Sequence, residues 1–116
     1  MNSIHWRRGL VPAALALAVL LVTVPARAFD ADEARMMLRR NNCLKCHSVD
    51  KKKEAPSYQD VAAKYRSRSD ARERLWTHLT TGPQVKFADG HEEEHKILRP
   101  QNPDELKNLI DWILAQ

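Results

Sequence analysis

Five residues constrain this chain more than any others: Cys43-Leu44-Lys45-Cys46-His47. Two cysteines two residues apart, followed at once by a histidine, form the attachment pattern for c-type haem. Each thiol can add across one haem vinyl group. His47 is then held close enough to the iron to coordinate it as the proximal ligand. Two other chemistries share parts of the pattern. A bare CxxC can be a disulfide or a thioredoxin-like redox pair, but that pair belongs in a βαβ setting, and nothing in the chain reads as a strand. Two cysteines and a histidine can hold zinc, but no second ligand cluster has zinc-finger spacing.

Haem attachment in this form requires export, and the N-terminus reads as an export signal. Arg7 and Arg8 precede the apolar run Leu10 to Val24, and Ala26-Arg27-Ala28 is an A-x-A cleavage site. The run falls short of the ~20 residues that cross a bilayer comfortably. The expectation is a secretory signal peptide over residues 1–28, cleaved after Ala28, and a periplasmic domain over residues 29–116. No stable membrane insertion is expected after cleavage. An uncleaved anchor is the alternative, and the residues around Arg7-Arg8 match a twin-arginine signal poorly.

Removing that segment changes the charge argument. It contains three arginines and no acid, so the remaining 88 residues carry 16 Lys and Arg against 15 Asp and Glu. A net charge of +1 makes no case for a nucleic-acid partner. The charge is unevenly spread. Residues 35–74 hold 12 basic and 5 acidic side chains, and residues 75–116 hold 4 and 7. Such a dipole can orient a protein towards an acidic partner surface; a merely solvated surface is the competing reading.

The domain reads as helical throughout. Asp30 caps a first helix running to about Asn42, with Glu33 at the capping-box position and Ala34, Met37 and Leu38 inward. A polar loop with Lys51, Lys52 and Lys53 leads to Pro56. Ser57 caps a short helix from Tyr58 to about Arg66, with Val61, Ala62 and Tyr65 on its apolar side. Ser69 caps a third, from Asp70 to about Thr80, with Leu75, Trp76 and Leu79 inward, and Gly82-Pro83 stops it. Residues 84–101 show no period. Asn102-Pro103-Asp104-Glu105 starts a last helix with Leu106, Leu109, Ile110 and Ile113 on one face and Trp112 beside it. This helix is expected to cross the first.

These features together resemble a small bacterial class I c-type cytochrome with one haem. The resemblance rests on the helix leading into Cys43-x-x-Cys46-His47, on Ala55-Pro56-Ser57-Tyr58-x-x-Val61-Ala62-Ala63-Lys64-Tyr65, and on a terminal helix carrying Trp112. It implies an all-α class I cytochrome c fold, with about four short helices around one covalently bound haem c. It also implies that the Pro56 carbonyl accepts a hydrogen bond from His47, fixing the ring and raising its basicity.

One departure from the family matters. Its distal ligand is usually a methionine from the loop before the last helix, yet no methionine follows His47. That loop contains His91 and His95 instead. Counting back from Trp112, His95 falls nearest the family's methionine and is the first candidate. His91 is the second; His78, Lys96 and an open site stay in play. Met36 and Met37 precede Cys43 and read as core or surface residues. His91-Glu92-Glu93-Glu94-His95 also matches the zinc motif H-E-x-x-H, but no further histidine follows, and Gly90 and Pro100 limit any helix there. Glu92 to Glu94 read as a solvated acidic edge.

The expected function is electron transfer without catalysis of its own, as a carrier or as the haem subunit of an oxidoreductase. The haem would be held by Cys43 and Cys46, and its iron by His47 and His95. Replacing a thioether by an imidazole should lower the reduction potential. The expected partners are a periplasmic oxidoreductase, another cytochrome or a membrane complex. The alternative from a different class is a small-ligand-binding (NO or CO) or sensing haem protein with a displaceable distal histidine. Peroxidase-like chemistry, with His91 and a glutamate beside an open iron, ranks behind both.

Overall fold

The computed structural model describes residues 29–116; the expected signal peptide and its cleavage site lie outside them. Four helices pack around one core: α1 (Ala31–Arg40), α2 (Tyr58–Tyr65), α3 (Ala71–Thr81) and α4 (Pro103–Leu114). A single 3-10 turn, Cys43–Lys45, follows α1, and a two-stranded antiparallel sheet, β1 (Gln84–Lys86) and β2 (Glu92–Glu94), follows α3.

Helix α4 contributes more buried core residues than any other helix. Asn102 caps it by accepting from the Asp104 amide at 3.0 Å, and Pro103 takes the first helical position, where its missing N–H leaves nothing unpaired. Its stripe of Leu106, Leu109, Ile110 and Ile113 is buried, and Trp112 is buried with it. Each such side chain contributes about 2 kcal/mol on burial. The stripe meets α1 through Ala34, Met37 and Leu38. The other end of α4 is closed by Arg66, which donates to the carbonyls of Leu114 at 3.2 Å and Gln116 at 2.5 Å. A cation there also complements the helix dipole.

Local chemistry sets two caps differently from the sequence expectation. Asp30 caps α1 by accepting from the amides of Asp32 and Glu33. Its own amide, however, donates to Asn108 Oδ1 of α4 at 2.6 Å rather than to Glu33. Asn108 also donates to the Asp30 carbonyl at 2.8 Å, so a tertiary clasp replaces the expected capping box. At α3 the N-cap is Asp70, not Ser69, and its side chain makes no capping bond. Both of its oxygens are engaged by Arg68 and Arg74, which hold the carboxyl well below the usual carboxylate range. By contrast, α2 has a full capping box between Ser57 and Asp60.

The hairpin corrects the expectation that nothing here is a strand. Gln84 pairs with Glu94, Val85 with Glu93 and Lys86 with Glu92. Three residues per strand are too few to establish an alternation, but Asp89-Gly90 is turn chemistry that marks a hairpin. Gly90 has φ +93°. The turn is held by Gly90 N–H to the Phe87 carbonyl at 3.0 Å and Phe87 N–H to the His91 carbonyl at 2.9 Å. His91 stacks on Phe87 with centroids 4.3 Å apart and is bonded to Asp89 and Glu93.

Two predictions follow from these contacts. Gly82 ends α3 at φ +63°, and a Cβ there would lie 2.5 Å from Ile97 Cγ1. Gly82→Ala should therefore lower stability by about 2 kcal/mol, read as a shifted denaturant midpoint; an unchanged midpoint contradicts this packing. Hydrogen bonding to Asp89 raises the His91 pKa above its ordinary value, and the carboxylate charges add to it. A raised folded pKa gives stability that is fully present below the unfolded value and lost as pH rises through the folded one. The stability difference between wild type and His91→Gln should accordingly be larger at about pH 5.5 than at about pH 9. A difference independent of pH argues against the pairing.

Candidate functional site

The loop after α1 winds tightly enough to put three reactive side chains together. Asn42 adopts a left-handed conformation, φ 56°, which short polar side chains tolerate. The chain then coils, with amides of Cys46 and His47 both donating to the Cys43 carbonyl, at 3.3 and 3.0 Å. Cys43, Cys46 and His47 thereby face one cavity of about 630 Å³. Both cysteines are free. Burial pushes the Cys43 thiol up; desolvation and then Glu54 raise Cys46 as well. The βαβ setting of a thioredoxin-like pair does not occur among the described residues.

The 48–57 loop is folded back to reach His47. Ala55 N–H donates to the Cys46 carbonyl at 3.1 Å, and Tyr58 N–H to that of Ser48 at 2.9 Å. These bonds bring the Pro56 carbonyl to 2.7 Å from His47 Nδ1. Tyr58 stacks on the imidazole, 5.0 Å between centroids and 19° between planes, and meets Trp112 of α4 edge-on at 5.5 Å. The ring of His47 is thus held by a carbonyl at one nitrogen and an aromatic pair behind it. Burial raises the Tyr58 hydroxyl pKa, as do the nearby Cys43 charge and hydrogen bond.

His95 lines the same cavity, its ring centroid 6.3 Å from that of His47 with 61° between the planes. The hairpin and α3 put it there: its amide donates to the Pro83 carbonyl at 2.9 Å, and Leu98 N–H donates to the Leu79 carbonyl at 2.7 Å. Its Nδ1 lies 3.0 Å from the Lys96 carbonyl. A carbonyl oxygen only accepts, so in both His47 and His95 a proton sits on Nδ1, and Nε2 is the nitrogen left to bind a metal. Burial lowers the His95 pKa, which favours its neutral form.

All five residues expected at the site — Cys43, Cys46, His47, Pro56 and His95 — line this one cavity. His91, the second candidate, does not: it is exposed on the hairpin with its acidic partners. The H-E-x-x-H segment forms a strand rather than a helix, and no group of metal-holding side chains occurs among the described residues. Met37 is in the core, Met36 is exposed, and neither lines the cavity. A lower-ranked candidate from the sequence, His78, is also at the site. It lines the cavity, with its ring centroid 4.3 Å from that of His95. Its pKa is pushed down to about 4 by burial and then by the charges of His95, His47 and Lys64. Its position three residues after Leu75, on the inward face of α3, was the available signal.

Much of the remaining wall is hydrocarbon, including Leu38, Leu75, Leu98, Leu109 and Ile113, with polar side chains such as Asn41, Glu54, Lys64, Glu93 and Lys96 also lining the cavity. Apolar walls, two adjacent thiols and an imidazole with a free Nε2 fit a haem attached through thioethers.

Comparison with known proteins agrees with this fit. Residues 31–116 match the family described as Cytochrome c. Cytochrome c-551 of Pseudomonas aeruginosa is 29% identical over 108 residues, covering 90% of this chain and 97% of that protein. Cytochrome c-552 of Nitrosomonas europaea is 33% identical over 111 residues, covering 86% and 89%. Among solved structures, the class 1 cytochrome MtoD from Sideroxydans lithotrophicus ES-1 superposes with a TM-score of 0.73 at 53% identity, over 76% of this chain and 97% of that one. Wild-type Nitrosomonas europaea cytochrome c552 gives 0.54 at 30% identity, over 74% and 98%. The chain therefore belongs to the cytochrome c family, as a small class I electron-transfer protein carrying one haem c bound covalently through Cys43 and Cys46.

Proposed function

We propose that this cytochrome is an exported, periplasmic electron carrier whose haem iron is ligated by His47 and His95. The observation that carries the ligand assignment is the spacing of the two imidazoles. Two imidazoles on opposite sides of one metal, at about 2 Å per bond, have centroids roughly 6 Å apart; the pair here is 6.3 Å apart. In each ring a backbone carbonyl accepts the Nδ1 proton, at 2.7 Å for His47 and 3.0 Å for His95. This is the support that orients a ligating histidine and raises its basicity.

Bound haem supplies a one-electron ferric–ferrous couple. The chain's own residues hold the two axial nitrogens in place and exclude water with the leucines of the wall. His47 is fixed by its covalent neighbour Cys46, by Pro56 and by Tyr58, so little has to reorganise when charge changes. Two imidazoles stabilise ferric iron relative to a histidine–methionine pair. The role fits a carrier between a periplasmic oxidoreductase and another cytochrome or membrane complex, or the haem subunit of an oxidoreductase. Among the described residues no helix is long and apolar enough to cross a membrane.

The test is spectroscopic. Purified holoprotein should be six-coordinate and low-spin, with a bis-imidazole EPR signature, and CO should leave its ferrous spectrum unmoved. His95→Met should raise the reduction potential by on the order of 0.1 V, a fraction of the ~0.8 V range that axial ligands span. A high-spin wild type, or ready CO binding, would instead put the small-ligand-binding reading first. Intact mass of the exported protein should correspond to a chain beginning at Phe29 plus one haem. A mass retaining residues 1–28 would rule out cleavage after Ala28.

A further inference from the structure

Helix α3 brings a third imidazole into the haem cavity. His78 lies three residues after Leu75 and one before Leu79, both buried on the inward face of the helix. It therefore occupies a position where an amphipathic helix ordinarily has an aliphatic side chain. Its ring is half-buried and in contact with that of His95, 4.3 Å between centroids and 58° between planes. The placement is not an accident of a loose loop. The segment carrying His95 is tied to the end of α3 by the bonds His95 N–H to Pro83 and Leu98 N–H to Leu79. Two imidazoles in contact with each other thus line the cavity that His47 also lines.

We propose that His78 is a second distal ligand for the haem iron, taking the axial position when His95 is displaced from it. This rests on the reading above in which His95 is the resident ligand. His47 is tethered through Cys46, Pro56 and Tyr58, so the two remaining histidines share the one other axial position. His95 holds it because the Lys96 carbonyl anchors its Nδ1 proton. No comparable carbonyl holds His78 among the described residues, which ranks it second. The exchange is balanced as it stands: a nitrogen lone pair of His78 forms the bond that His95 Nε2 gives up. No electron or proton need enter or leave. Its consequence is a distal side that can swap ligands while the iron stays six-coordinate and closed to solvent.

Three holoprotein variants test this by absorption and low-temperature EPR: His95→Ala, His78→Ala and the double variant. The expected result has three parts. His78→Ala matches the wild type. His95→Ala stays low-spin and bis-imidazole, with shifted g values. The double variant loses that signal, and added free imidazole restores it, which shows that its cavity is still formed. If His95→Ala is high-spin while His78→Ala matches the wild type, His78 does not ligate; the proposal fails and the His95 assignment stands. If the double variant keeps the low-spin signal of His95→Ala, the substitute is another group, and the proposal also fails. If His78→Ala alone loses the bis-imidazole signal, His78 is the resident ligand and the His95 assignment falls with the proposal. His95→Gln, which keeps the side-chain bulk, gives the same comparison should the alanine variant not accumulate.

Discussion

The hydrogen bond from His47 to the Pro56 carbonyl, 2.7 Å long, joins the haem-attachment segment to the rest of the fold. The 3-10 turn alone gathers Cys43, Cys46 and His47, but it leaves the imidazole free to rotate. Pro56 removes that freedom, and the loop delivering it is closed by backbone bonds at Cys46 and Ser48. Because Ser57 then caps α2 and Tyr58 stacks on the same ring, a single stretch of chain fixes both the orientation of His47 and the start of the next helix. Trp112 behind Tyr58 extends the support into α4. The proximal side is thus built from the core outward.

The opposite wall is built differently. It rests on α3 and on a hairpin with three residues per strand, tied together by two backbone bonds. Gly82 makes this possible: a side chain there would collide with Ile97 and Glu94, so the return strand can pass close to the helix end only because the Cβ is missing. The His95 segment therefore approaches α3 closely enough for His95 and His78 to touch. A short hairpin with exposed acidic residues has less holding it than the α1–α4 clasp at Asp30 and Asn108. Any ligand variability belongs on this side of the cavity.

Sequence legibility followed the same division. The stripes of α1 and α4, the Asn102-Pro103 start and the Gly82 stop were all readable, because each is a local pattern whose partner is simply the core. Pro56 was readable only through family resemblance, since nothing in its neighbours says that its carbonyl meets a histidine nine residues earlier. The clasp of Asp30 by Asn108 was invisible for the same reason: the partners are 78 residues apart. The hairpin was missed because Gln84-Val85-Lys86 is too short for its alternation to stand out and Glu92-Glu93-Glu94 has none, although Asp89-Gly90 marked its turn. His78 stayed in play only behind His95 and His91. Its position between Leu75 and Leu79 was the guide to its place at the cavity.

The overlap between core and cavity explains why so small a domain can work. Leu38, Leu98, Leu109 and Ile113 belong both to the hydrophobic cluster and to the cavity wall. A domain of this size buries a smaller share of its surface than a larger one does, and many small domains need a covalent or metal staple. Thioethers at Cys43 and Cys46 attach apolar ring surface that these leucines can cover, so the haem is a core component as well as a redox centre. The same contacts that stabilise the fold exclude water from the iron. Mutations that loosen the leucine wall should consequently change stability and redox behaviour together, whereas, on the ligation proposed above, changes confined to His78 and His95 should alter the iron with the core left in place.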